Sequence, residues 1–271
     1  MKKNTIPYVA LTAVHIILLI FTMIKRKDKK LFGLLFTSIG FAYLFEIIIL
    51  NLFRSYRYYP KIFKNKWLDT IFGAIVSQAF LVPISATTIA FLRLGWKWIG
   101  GITLFYTLTE RLFIYKRWFK NNWWHTYYTT LLIPAYFYIM KKWMFLMERK
   151  RYQWVGYTNV FFFIWVNYIN IYFVLVAVFK KFIFGKRKII GKYRVHFLIE
   201  PPYLILQSMI LLIAVIKQKY FIGIGINHLL DQLLYRYRWI QAKRWTVYCF
   251  LPIHVIIYLI GKAFNKQMEA V

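Results

Sequence analysis

Residues 152–179 read YQWVGYTNVFFFIWVNYINIYFVLVAVF, a run without one Lys or Arg in a chain that carries 38 of them. A helix of roughly 20 apolar residues crosses a bilayer core, and this run is longer than that. Outward from it, further stretches free of Lys and Arg cover 4–24, 31–53, 67–92, 98–110, 121–140, 195–216, 220–235 and 245–261. Basic residues return in clusters between them. The pattern predicts an all-α polytopic transmembrane helical bundle of about nine spans, near 6–24, 31–53, 68–92, 95–113, 124–146, 155–179, 195–216, 219–235 and 246–262. The count falls to eight if the 219–235 segment, with its Gly223, Gly225, His228 and Asp231, is re-entrant. No linker or low-complexity segment divides the chain, so residues 1–271 read as a single integral membrane domain.

Composition agrees. The chain is 61% hydrophobic and 22% aromatic, more apolar surface than a soluble fold of this length covers. Its net charge of +30 lies in short loops, where the expected partners are the bilayer and its anionic lipid headgroups. Nucleic acid is not expected, because no contiguous basic domain offers the phosphate contacts it needs. Cys249 is the only cysteine, which excludes an intramolecular disulfide and a Cys-based metal or redox pair. The start, Lys2-Lys3-Asn4 before an apolar run, is followed by Lys25-Arg26-Lys27 rather than a small-residue cleavage site, so it reads as a retained helix. More Lys and Arg fall on the side of the N-terminus, which places that terminus in the cytoplasm. Tyr56, Tyr58, Tyr59, Trp118, Trp123, Trp124 and Trp239 at span ends read as an interfacial aromatic belt.

Eight acidic residues are few enough for their positions to matter. Glu46, Glu110 and Asp231 each lie near the end of an even-numbered span and each precedes a basic, aromatic stretch. Ionisable residues inside a span are costly and face the bundle interior, paired or wet. Two arrangements fit. In one, the acids pair with Arg54, Arg57, Arg111, Arg236 or Arg238 and lock the bundle. In the other, Glu46, Glu110 and Asp231, with His228 one turn before Asp231 and His15 at mid-span, line a polar cavity for an ion or small ligand, while the five arginines contact headgroups. Asp69 stands at the start of the third span. Glu200, before Pro201-Pro202, reads as the cap of the seventh helix. Pro83 is expected to kink the third span beside Gln78. The spacings 110 − 46 = 64 and 231 − 110 = 121 are near one and two units of a period, a pattern that chance also produces.

Catalytic patterns are absent: there is no Gly-x-Ser-x-Gly, Walker A, HExxH or DxxxD. No metal or cofactor is implied. From Thr107 to Tyr138, through Glu110, Trp118, Trp123, Trp124, Tyr127-Tyr128-Thr129 and Pro134, the chain resembles a group of small polytopic membrane proteins of spore-forming Firmicutes. Thr129 departs from the Ser expected there. The resemblance implies a bacterial cytoplasmic membrane protein and brings no established activity. The functional expectation is a non-enzymatic membrane protein that binds or moves a small ligand or ion through a one-sided polar cavity. A membrane enzyme acting on lipid, with Glu46 or Asp231 as base, and a structural subunit of a membrane complex are the alternatives.

Overall fold

Helices form where the apolar runs predict them. The structure, a computed structural model, describes residues 2–149, 152–185 and 191–269. The basic clusters at 150–151 and 186–190 lie partly or wholly outside those residues. Nine helices occur among the described residues: α1 (Thr5–Lys25), α2 (Lys30–Leu52), α3 (Lys66–Phe91), α4 (Trp96–Tyr115), α5 (Thr126–Glu148), α6 (Gln153–Ala177), α7 (Lys192–Ile216), α8 (Tyr220–Arg236) and α9 (Arg244–Glu269). Of these, α1, α2, α3, α6, α7 and α9 are long and apolar enough to cross a membrane. Among the described residues the fold is all-α apart from four three-residue strands. Glu200 lies two turns inside α7, not at its start, so it caps nothing. Its carboxylate is 3.2 Å from Nε2 of His196, and both side chains are buried.

Two helices contain π-helical turns, Ile47–Leu52 in α2 and Val76–Leu81 in α3. A π-turn holds one residue more than an α-turn needs and often marks a functional site. Pro83 follows the second of them directly, so the irregular turn absorbs the amide that proline lacks. Asp69 accepts from the backbone N–H groups of Lys61, Ile62 and Phe63 at 2.9, 2.7 and 3.0 Å. It thereby folds the loop 59–65 onto the first turn of α3, which Asn65 caps through Trp67 and Leu68.

The chain divides into two compact units, Met1–Tyr152 and Gln153–Val271. In the first, β1 (Tyr56–Tyr58) after α2 pairs antiparallel with β2 (Phe119–Asn121) after α4. In the second, β3 (Phe182–Phe184) after α6 pairs antiparallel with β4 (Ile240–Ala242) after α8. Each unit is therefore helix, strand, helix, helix, strand, helix, with α1 added to the first. The chain reversals match residue for residue. Arg54, Arg93 and Arg117 adopt left-handed backbone after the first, second and third helices of one unit, and Lys180, Gln218 and Arg238 do so in the other. Glu110 and Asp231 each stand seven residues before the last of these, so the spacing of 121 is a structural repeat. The spacing of 64 is not, because Glu46 sits on the unit's first helix. Between Arg54 and Lys180 the offset is 126, and between Arg93 and Gln218 it is 125. The residue lost is the π-turn insertion of α3, which the regular α7 lacks.

The two units differ in how the second and third helices meet. In the second, α7 and α8 pack closely because Gly223 faces Ala214, and a Cβ on Gly223 would fall 2.3 Å from that of Ala214. In the first, α4 makes little contact with α3. There α1 packs against α3 instead, held by Thr22 on Thr88 (3.0 Å) and Arg26 donating to Phe91 O (2.8 Å), while Tyr8 donates to Trp118 O (2.7 Å) at the turn after α4. Space is left between the helices of the first unit. Gly223→Ala is expected to cost about 1–3 kcal/mol, read as a lower unfolding midpoint in detergent micelles. The double variant with Ala214→Gly should recover most of the loss.

Candidate functional site

That space is a cavity of about 400 Å³ in the first unit, within the range of small-molecule sites. Its walls come from α1 to α5 and the β1–β2 ribbon, and they are chiefly apolar and aromatic: Phe41 and Phe45, Val76 and Leu81, Phe113 and Phe119 among them. The sequence led us to expect a polar chamber, but the polar groups here are few. Tyr56, Gln78, Glu110 and Thr129 carry them, with the phenols of Tyr106 and Tyr136. The three-residue ribbon explains the aromatic wall. Alternate residues of a strand face opposite sides, so Tyr56, Tyr58 and Phe119 turn to the cavity while Arg57, Lys120 and their charges turn away.

Glu46 joins this wall indirectly. Only 6% exposed, it accepts at Oε2 from Tyr56 Oη (2.6 Å) and Gln78 Nε2 (3.0 Å), both from cavity-lining residues. Its Oε1 is buried with no hydrogen-bond partner. Burial, reinforced by the charge of Glu46, holds the Tyr56 phenol well above its ordinary range, so it stays protonated and donates. The π-turns flank this contact: one begins directly after Glu46, the other contains Gln78. Glu110 lines the cavity itself. It accepts from Thr126 (2.9 Å), from Asn121 (3.4 Å) and, at its other oxygen, from Thr129, whose hydroxyl takes a bond from Trp124 Nε1 (3.0 Å). His15 supports the opposite wall. Its Nδ1 donates to Leu11 O (2.8 Å), which leaves Nε2 of the neutral ring to accept from Tyr106 (2.8 Å), and Tyr106 also contacts Ser85 (2.9 Å).

Asp231 belongs to the second unit and is 0% exposed. It accepts from Tyr203 (2.5 Å) and Gln207 (2.9 Å) at one oxygen and from His254 Nε2 (2.7 Å) at the other. His254 Nδ1 is 2.8 Å from Tyr168 Oη, and Asn227 donates to that oxygen (3.3 Å) and to Gln207 O (3.1 Å). The network ties α6, α7, α8 and α9 together at one level and leaves the carboxylate no room for a ligand. His228, half-buried, lies 3.2 Å from Gln232 rather than on Asp231.

None of the three acids pairs with an arginine among the described residues; hydroxyl, phenol, amide and imidazole donors serve them instead. Arg54, Arg57, Arg111, Arg236 and Arg238 are all exposed at helix ends or on the ribbons. The belt reading fails for Tyr56 and Trp124, which are buried, because the ribbon folds them inward. Composition-based reading missed the roles of Tyr56, Tyr106, Thr126 and Thr129. The alternation at Arg54-Ser55-Tyr56-Arg57-Tyr58 was the available signal, a period of two that marks a strand.

No family model, curated protein or solved structure matches this chain. The geometry therefore carries the functional argument alone. For the second unit it predicts a structural role: Asp231→Ala leaves buried donors without an acceptor and should cost about 3–5 kcal/mol. Denaturant titration in micelles measures that loss, and Asp231→Asn, which keeps the shape, should lose less.

Proposed function

We propose that this is a multi-pass protein of the bacterial cytoplasmic membrane whose first unit binds a small lipophilic molecule. All nine helices cross in this reading, with the N-terminus in the cytoplasm. The shortest, α8, has 17 residues and reaches about 25 Å at 1.5 Å per residue, a few ångströms short of the hydrocarbon core, which local thinning or snorkelling at its ends makes up.

One observation carries the reading: the first unit holds an aromatic cavity where its α4 stands off α3, whereas the repeat-equivalent α7 and α8 pack closely at Gly223. Interiors pack densely, and an empty apolar space forfeits dispersion contacts and destabilises. In the second unit the Gly223–Ala214 contact brings the equivalent helices together. Three lining residues, Phe45, Leu132 and Ile139, are also exposed on the outer apolar surface of α2 and α5. A ligand dissolved in the bilayer thus has a lateral route inward. Glu46 and Glu110 mark the polar end of the chamber, next to the ribbon.

The test is photoaffinity labelling of the full protein in micelles with a long-chain alcohol bearing a diazirine. Labels should concentrate on cavity-lining peptides of α2 and α5. Ala42→Phe, which fills the cavity from α2, should lower that labelling on the order of tenfold, the equivalent of about 1.4 kcal/mol. Labels spread evenly over exposed apolar faces and indifferent to Ala42→Phe would overturn the proposal.

A further inference from the structure

A second hollow, of about 760 Å³, lies on the other side of the same wall. Phe119 and Trp124 line both spaces. The chemistry changes across them. The second hollow is edged by Arg111, Arg117 and Lys120, with Asn121, Asn122 and Thr126 as neutral polar residues beside them. No acidic residue lines it, and none of the three cations makes an ion pair among the described residues. Lys120 also faces Arg57 directly across the ribbon, and like charges in that position repel. Glu110, the nearest acid by sequence, is already occupied by Asn121, Thr126 and Thr129. Three cations gathered around one hollow, with Arg57 beside one of them, lower their mutual repulsion when an anion sits among them.

The second unit supplies an internal control. At the repeat offset of 121, Arg111 corresponds to Gln232 and Lys120 to Gln241, and on the partner strand Arg57 corresponds to Ile183. Only Arg117 keeps its charge, as Arg238. The second unit instead carries Lys243 at the position of Asn122, so its charge is placed elsewhere on the ribbon, and the Arg111–Arg117–Lys120 cluster belongs to the unit with the aromatic cavity.

Resting on the cavity reading above, we propose that the ligand is a phosphate-bearing amphiphile, with its apolar body in the cavity and its phosphate in the Arg111–Arg117–Lys120 hollow. Phe119 and Trp124 form the wall against which the junction of tail and head lies. The cavity selects an apolar chain of limited length, and the hollow selects a compact anion through fork-shaped guanidinium donors.

Native mass spectrometry of the full protein in neutral detergent, titrated with dodecyl phosphate, dodecanol or inorganic phosphate, tests this. Dodecyl phosphate should bind as one equivalent. Arg111→Gln with Lys120→Gln should weaken it about tenfold or more, while dodecanol binding stays unchanged. Arg236→Gln with Arg238→Gln, in the second unit, should change neither. Ala42→Phe should weaken both alkyl compounds. The four arginine and lysine positions are exposed, and an unchanged size-exclusion profile verifies the fold of each variant. If dodecyl phosphate is indifferent to the first-unit substitutions, or equally sensitive to those in the second unit, the headgroup assignment is wrong although the cavity reading survives. If inorganic phosphate binds as tightly as dodecyl phosphate, the hollow is a free-anion site and the amphiphile is rejected. If neither alkyl compound binds, the cavity reading itself falls and takes this proposal with it.

Discussion

Backbone amides and carbonyls that leave a helix end must find new partners, and in both units of this protein they find each other. The strand after the first helix pairs with the strand after the third, so two reversals that are far apart in sequence close into one antiparallel ribbon. Left-handed residues make the turn into each strand, at Arg54, Arg117, Lys180 and Arg238. A non-glycine residue in that conformation costs on the order of 1 kcal/mol, and it recurs at equivalent places because the ribbon depends on it. The ribbon in turn fixes which aromatic side chains face inward, and so it builds one wall of the cavity.

From that shared frame the two units take different courses. In the second, Gly223 on Ala214 lets α7 and α8 approach, and a buried polar network centred on Asp231 crosslinks all four helices. In the first, α4 stands away from α3, α1 packs alongside, and two π-turns bring Glu46 and Gln78 together behind Tyr56. The same topology thus yields close packing of α8 on α7 in one unit and a cavity beside α4 in the other. The differences are local: a glycine, two inserted residues and one additional helix.

The acids show how sequence position and chemical role separate. Glu110 and Asp231 are repeat equivalents, yet one lines a cavity and is held by threonine hydroxyls, while the other is sealed with a histidine and a tyrosine. Glu46, which stands alone by its depth in the sequence, reaches the cavity only through its two donors. Nearby arginines do not neutralise these carboxylates. Instead the cations face outward on the opposite side of the ribbon, which leaves them available to an anion.

Long apolar runs bounded by Lys and Arg determined the helices, because length and hydropathy are local properties and a span needs only a continuous apolar segment. Helix ends consequently lie within a few residues of the expected places, except that α9 runs on to Glu269, seven residues past the expected end. The 121-residue repeat was also present in the sequence, but a common motif of acid, arginine and aromatic residues could not distinguish duplication from coincidence. The ribbons escaped notice, since three-residue strands are too short for their alternation to stand out, and with them the inward turn of Tyr56 and Trp124. Which acid meets which donor, and whether α4 or α8 closes on its neighbour, are matters of contact between residues far apart in the chain. Those contacts depend on interhelical packing at single positions such as Gly223, which only the tertiary structure decides.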